Sequence, residues 1–147
     1  MLSRTSQYAL RAMIYLAKKG NRHLISGAQI SAHTRIPAKY LTAVLRECVR
    51  SGILESTRGK GGGYRLTKAP QRISLLDTVS CFEPQLSGKA TCPFGNKRCS
   101  AVNPCLAHDQ WTTVNETLKK FLGKTSLQDV AFEKADRRTP RKRRSRS

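Results

Sequence analysis

The chain has 147 residues and a formal net charge of +19, from 28 Lys and Arg against 9 Asp and Glu. That length suits one compact domain with accessory helices, no apolar run approaches the roughly 20 residues of a membrane span, and the missing signal-like apolar stretch predicts a cytoplasmic address. So positive a charge favours nucleic acid over a membrane surface, since no basic amphipathic helix with a bulky aromatic face is present, and five cysteines in that compartment read as metal ligands or core residues rather than disulfides.

A first helix is expected where Ala9, Ala12, Met13, Leu16 and Ala17 recur at helical spacing, closed by Lys18, Lys19 and Gly20. Ser26 and Gln29 have capping-box spacing, with Ile25 and Ile30 placed as a hydrophobic staple, so a second, short helix starts there and ends near His33. Thr34 and Arg35 make a turn, and Pro37 takes the favoured first position of a third helix. Tyr40, Leu41, Val44, Leu45, Cys48 and Val49 form its apolar stripe, Lys39, Thr42, Arg46 and Arg50 its other face, and Gly52 its stop. Two short helices joined tightly, the second with a basic outer face, are what a helix-turn-helix presents to the major groove, although any two helices of a bundle look similar. The next segment strengthens the reading. Residues 53–58 and 63–66 alternate as strands around Gly59, Lys60, Gly61 and Gly62. A basic, glycine-rich hairpin in this place is a wing, whose Arg58 and Lys60 reach phosphate or the minor groove, rather than a plain flexible turn.

Ser74 with Asp77 opens a fourth helix that buries Leu75, Leu76 and Val79, with Phe82 at its margin. Beyond it, Cys92, Cys99, Cys105 and His108 fall within 17 residues as C-x6-C-x5-C-x2-H. Thiolates and imidazole hold iron-sulfur clusters and zinc, and this spacing lets one loop wrap one site. The paired C-x2-C knuckles of common zinc fingers are missing, so zinc stays open without being favoured. His23 and His33 lack such neighbours and are left unassigned, while Cys48 and Cys81 read as buried core residues. Pro104 closes the loop. Trp111, Val114, Leu118, Phe121 and Leu122 then trace a helical stripe to Gly123, a helix of about twenty residues and near 30 Å. Pairing that helix with its counterpart in a second chain would bury the stripe and match the symmetry of palindromic sites, the alternative being packing on its own domain. Residues 134–147 carry eight basic side chains and one acid with almost nothing apolar, so a disordered tail with nonspecific phosphate contact is expected. The predicted fold is mainly α with a small β wing. It divides into a winged helix-turn-helix domain over 1–85, a cysteine-rich loop over 86–108, a dimerisation helix and short segment over 109–133, and the tail.

Tyr8-Ala9-Leu10-Arg11-Ala12, Ile36-Pro37 with Tyr40-Leu41, Arg58-Gly59 with Gly61-Gly62-Gly63-Tyr64-Arg65-Leu66, and Ile73-Ser74-Leu75-Leu76-Asp77 occur in that order. Together they resemble the Rrf2 family of bacterial transcription regulators, over about Ser6 to Leu122. The resemblance implies a homodimeric winged-helix repressor or activator whose relatives sense iron-sulfur status, nitric oxide, iron, redox state or cysteine metabolism. It implies a cluster on Cys92, Cys99 and Cys105, although the first gap is one residue longer than is frequent in the family. Cys105-Leu106-Ala107-His108 with Trp111 is similar to the iron-sulfur cluster regulator branch, which makes His108 the fourth ligand and [2Fe-2S] favoured over [4Fe-4S]. The acidic residue that completes a [4Fe-4S] site in the nitric-oxide-sensing branch is Gln7 here, a poorer ligand. For DNA, the resemblance and the helix face together nominate Lys39, Tyr40, Thr42 and Arg46, and in the wing Arg58, Lys60 and Gly61. Thr42 stands where the family often has an acid, so a different operator preference is expected. Trp111, Val114, Leu118 and Phe121 are the expected dimer contacts.

No nucleotide-binding glycine fingerprint, paired acid-base constellation or serine triad is visible, which leaves an enzyme the least supported class. The remaining alternatives are a winged-helix regulator with zinc or redox-active thiols in the same loop, and a nonspecific nucleic-acid-binding protein.

Overall fold

The computed structural model describes residues 2–20, 22–88 and 92–132; the basic tail expected over 134–147 lies outside them. Helix α1 (Arg4–Lys19) is capped by Ser3, whose side chain accepts from the Ser6 amide, and it ends at Gly20 with φ +75°. It runs through the middle of the core: Ala9, Ala12, Met13 and Leu16 are fully buried, as the spacing predicts. Helix α2 (Gly27–Thr34) opens on the expected reciprocal Ser26–Gln29 capping box. Helix α3 (Ala38–Arg50) begins one residue later than expected, with Pro37 as its cap, and buries Leu41, Val44, Leu45 and Cys48. Beyond Ser51 the amides of Gly52 and Ile53 turn back onto the Val49 and Cys48 carbonyls, at 3.0 and 3.1 Å.

Strands β1 (Leu54–Thr57) and β2 (Gly63–Leu66) pair antiparallel with Leu54 opposite Leu66 and Thr57 opposite Gly63. The far edge of β2 is also occupied. Ile25 and Tyr64 exchange main-chain bonds of 2.9 and 2.8 Å, which ties the hairpin to the start of α2. That close approach is why the tip needs glycine: a Cβ on Gly63 would stand 2.5 Å from the Ile25 carbonyl oxygen, and one on Gly62 2.2 Å from that of Thr57.

A short 3-10 turn at Pro70–Arg72 leads to α4 (Leu75–Val79), which has the expected Ser74–Asp77 capping box. Only five residues long, α4 ends before Cys81, and that thiol is exposed rather than in the core. Cys48 is buried as expected, and burial pushes its thiol up to about 12. After a second 3-10 turn at Pro84–Leu86 and the cysteine loop comes α5 (His108–Lys124), 17 residues and about 26 Å long. It starts later than the sequence suggests because Leu106 and Ala107 continue the loop.

The sequence reading missed α6 (Leu127–Ala131), although Ser126 and Asp129 repeat the capping-box signal of Ser74 and Asp77. The two capped starts lie back to back, with the Leu75 amide on the Thr125 carbonyl and the Leu127 amide on the Ile73 carbonyl, both at 2.8 Å. Leu122, Leu127 and Ala131 thereby join the core built on α1. The C-terminal helices complete the winged domain rather than standing apart from it.

A candidate DNA-binding groove and a three-cysteine site

On one face, α3, the start of α2 and the wing enclose a groove of about 560 Å³ lined by Ser26, Thr42, Arg46, Ser56, Arg58 and Tyr64 among others. Three of the expected DNA residues, Thr42, Arg46 and Arg58, meet there. Thr42 donates its hydroxyl to the Ala38 carbonyl at 2.9 Å, which leaves an acceptor lone pair and the methyl group outward. Lys39, Lys60 and Gly61 are exposed at the margins. Tyr40 lies elsewhere: 55% exposed, it turns toward α1, its ring 6.4 Å from that of Tyr8. The same helical spacing that sends Leu41 inward sets Tyr40 at the edge of the apolar stripe.

The cysteines converge at the start of α5. The Sγ atoms of Cys92, Cys99 and Cys105 all lie within 4.8 Å of one another, with Cys92 and Cys105 3.6 Å apart. His108, the first residue of α5, brings Nδ1 to 3.2 Å from the Cys99 sulfur. The Cys105 amide points at that sulfur from 3.4 Å. The N-terminal end of a 17-residue helix beside the thiols favours negative charge on them. Desolvation resists ionisation at both Cys92 and Cys105, yet hydrogen bonding from the Phe94 and Asn96 main chain carries Cys92 below the ordinary thiol range, while Cys105 beside it is pushed up. Three thiolates and one imidazole are a soft donor set suited to iron-sulfur chemistry or zinc.

The thiols, His108, Trp111 and Gln85 line one cleft of about 180 Å³. Trp111 meets Phe94 of the loop edge-on, ring centroids 5.8 Å apart. This tryptophan therefore serves the cleft, and Leu118 packs against the core of its own chain. Val114 and Phe121, each 57% exposed, are the expected interface residues that remain outward.

Sequence reasoning also missed Glu83, which is 4% exposed and accepts from the Ser3 amide and the Ser6 hydroxyl, both at 2.6 Å. Its second oxygen accepts from the Gln85 amide group at 2.7 Å. Burial alone would raise this carboxyl, but the bonds from Ser6, Ser3 and Gln85 outweigh it and hold Glu83 below the usual carboxylate range. No periodicity marks such a residue in advance.

A helix-turn-helix, a hairpin wing and a basic groove between them define a winged-helix DNA-binding protein. The chain belongs to the Rrf2 family: the family profile, described as an iron-dependent transcriptional regulator, matches residues 2–133. It is 30% identical to the HTH-type transcriptional regulator IscR of Xenorhabdus nematophila, over 98% of this chain and 90% of that protein. The structure of CymR, the global cysteine regulator of B. subtilis, superposes with a TM-score of 0.71 at 25% identity, covering 89% of this chain and 95% of that one. T. potens IscR shares the fold at TM-score 0.70 and 22% identity, over 88% and 85% of the two chains. The protein is a transcriptional regulator, and no helix among the described residues is long and apolar enough to cross a membrane.

Proposed function

We propose that this regulator senses iron-sulfur, redox or nitric oxide status through a cluster held by Cys92, Cys99, Cys105 and His108. The observation that carries the reading is the convergence of three sulfurs within 4.8 Å at the first residue of α5. A bound cluster would supply oxygen- and redox-sensitive chemistry there, and [2Fe-2S] is favoured over [4Fe-4S] because Gln7 offers no carboxylate. Gln85 lines the cleft and also binds Glu83, which caps the start of α1; these contacts supply a path from the loop to the DNA-binding core.

Functionally, residues 1–85 read DNA, 86–108 sense, 109–133 pair two chains, and the segment 134–147, outside the described residues, adds charge-driven grip. The partner is double-stranded DNA with a palindromic operator, bound by a homodimer in the bacterial cytoplasm and nucleoid. Lys39, Thr42, Arg46, Arg58, Lys60 and Gly61 contact it, while Val114 and Phe121, with the half-buried edges of Trp111 and Leu118, face the second chain. A second reading has one specific support. A single tetrahedral ion with bonds of about 2.3 Å sets all its sulfurs about 3.8 Å apart, and the three sulfurs here lie within 4.8 Å of one another, whereas ligands on the two different irons of a [2Fe-2S] cluster stand further apart. Anaerobic reconstitution decides between them: about two iron and two sulfide per chain with visible absorption support the cluster, and a colourless protein holding one zinc overturns it.

A further inference from the structure

We propose that the face formed by the ends of α1 and α2 and the turn between α2 and α3 is a second DNA-contact surface, gripping backbone phosphates that flank the stretch read by α3 and the wing. The inference rests on the DNA-binding reading above and extends its footprint.

Charge is the first observation. Residues 1–46 contain eight Lys and Arg and no Asp or Glu, and Glu47 is the first acid in the chain. Glu47 and Glu55 pair with Arg50 and Arg65, away from this face. Shape is the second. Arg11, Tyr15, Lys18, His33 and Arg35 surround a recess of about 350 Å³. The Arg11 guanidinium donates to the Thr34 carbonyl and so holds the turn in place. His33 stacks on Tyr15 with ring centroids 4.3 Å apart, and the Lys19 ammonium lies 5.6 Å from the same ring. Lys18 and Arg35 stand exposed above this platform.

Backbone conformation is the third observation. Arg35 has φ +56°, which makes it the only non-glycine residue with positive φ among the described residues. A helix ending in that conformation is normally closed by Gly or Asn at lower cost. An arginine kept there points to a use for its guanidinium.

The position fits one partner. Ser26 and Gly27 at one end of α2 line the reading groove, and His33 and Thr34 at the other end line the recess, so the two surfaces are about 12 Å apart along an eight-residue helix. Lys39, exposed at the start of α3, lies on the chain between Arg35 and the groove residue Thr42. A duplex carries one phosphate charge per about 1.7 Å of axis. A duplex seated in the groove therefore offers further phosphates to the recess.

Two variants test this in the full-length protein. Arg35→Gly removes the charge while relieving the positive-φ position, and Lys18→Gln removes a charge from an exposed helix site. Affinity is titrated at several salt concentrations on an operator duplex with long flanks and on one trimmed to the stretch covered by α3 and the wing. Each variant is expected to lose about 3- to 10-fold on the flanked duplex, with a salt slope shallower by about 0.9 per contact removed, and to match wild type on the trimmed one. Wild-type affinity and slope on the flanked duplex, or equal losses on both duplexes, overturn the proposal. Arg58→Ala separates the two failures: if it weakens operator binding while Arg35→Gly and Lys18→Gln do not, the groove reading stands and only this inference falls.

Discussion

The two working parts of this protein are built by different means. In the winged half every element is closed by main-chain bonds and buried side chains: α1 is wrapped by the other helices, and β2 is bonded on both edges. Among the described residues of the cysteine loop the main-chain bonds are local turns, such as Gly95 onto Cys92, Cys99 onto Asn96 and the mutual pair Ser100–Asn103, while Phe94, Val102 and Leu106 stay exposed. Among the described residues the three thiols are brought together without a buried core around them. The groove is thus preformed, whereas under the proposed reading the cysteine loop would take its rigidity from what binds to it, a division suited to a switch.

The largest expected effect is all-or-none. Cys99→Ala removes the sulfur that meets both His108 and the Cys105 amide. Metal loading is expected to vanish while apo-protein stability stays within about 0.5 kcal/mol of wild type, measured by metal analysis and urea unfolding. Leu41→Ala is the mirror experiment, because this side chain is 1% exposed beneath the recognition helix. It should cost about 2–5 kcal/mol and reduce operator binding while the cysteines still load metal at temperatures where the fold persists. A cysteine variant that unfolds the apo-protein would break the contrast between the two regions.

Within the reading surface the contrast can be sharpened at Arg58. Its exposed place on the groove wall predicts that Arg58→Ala costs about 1–3 kcal/mol at the operator and little on scrambled DNA. Competition titrations check this, and an equal loss on both duplexes would make Arg58 a general phosphate contact instead.

Legibility follows the same divide. The capping boxes at Ser26 and Ser74 and the glycines of the wing are local signals, and each placed the start of its helix or the turn of its hairpin to within a residue. Cysteine spacing announced a site, but the 4.8 Å convergence of sulfurs depends on turns through Gly95 and Asn103 that no spacing rule contains. Cys81 was misread because helical periodicity was carried past Val79, where α4 stops. The stripe on α5 was legible as apolar, yet which of its members face the home domain was not: Leu118 and Leu122 are claimed by the core because α5 packs on α4.

The smallest effect tests the seam between the two regions. Glu83 links the start of α1 to Gln85, which lines the cysteine cleft, and its carboxylate accepts every hydrogen bond it makes. Glu83→Gln keeps the volume but turns one acceptor into a donor, which then faces either the Ser3 and Ser6 donors or the Gln85 amide, at a cost of about 1–2 kcal/mol at neutral pH. The folded-state value of this carboxyl lies below its ordinary 4.5, so its contribution is complete above 4.5 and is lost as pH falls through the folded value. Wild type and Glu83→Gln should accordingly differ in urea unfolding at pH 7 and converge as the pH falls through the lowered folded-state value of Glu83. A difference that does not change with pH would mean that the charged form has no special place at the seam, and that side-chain shape alone joins the cysteine loop to the winged domain.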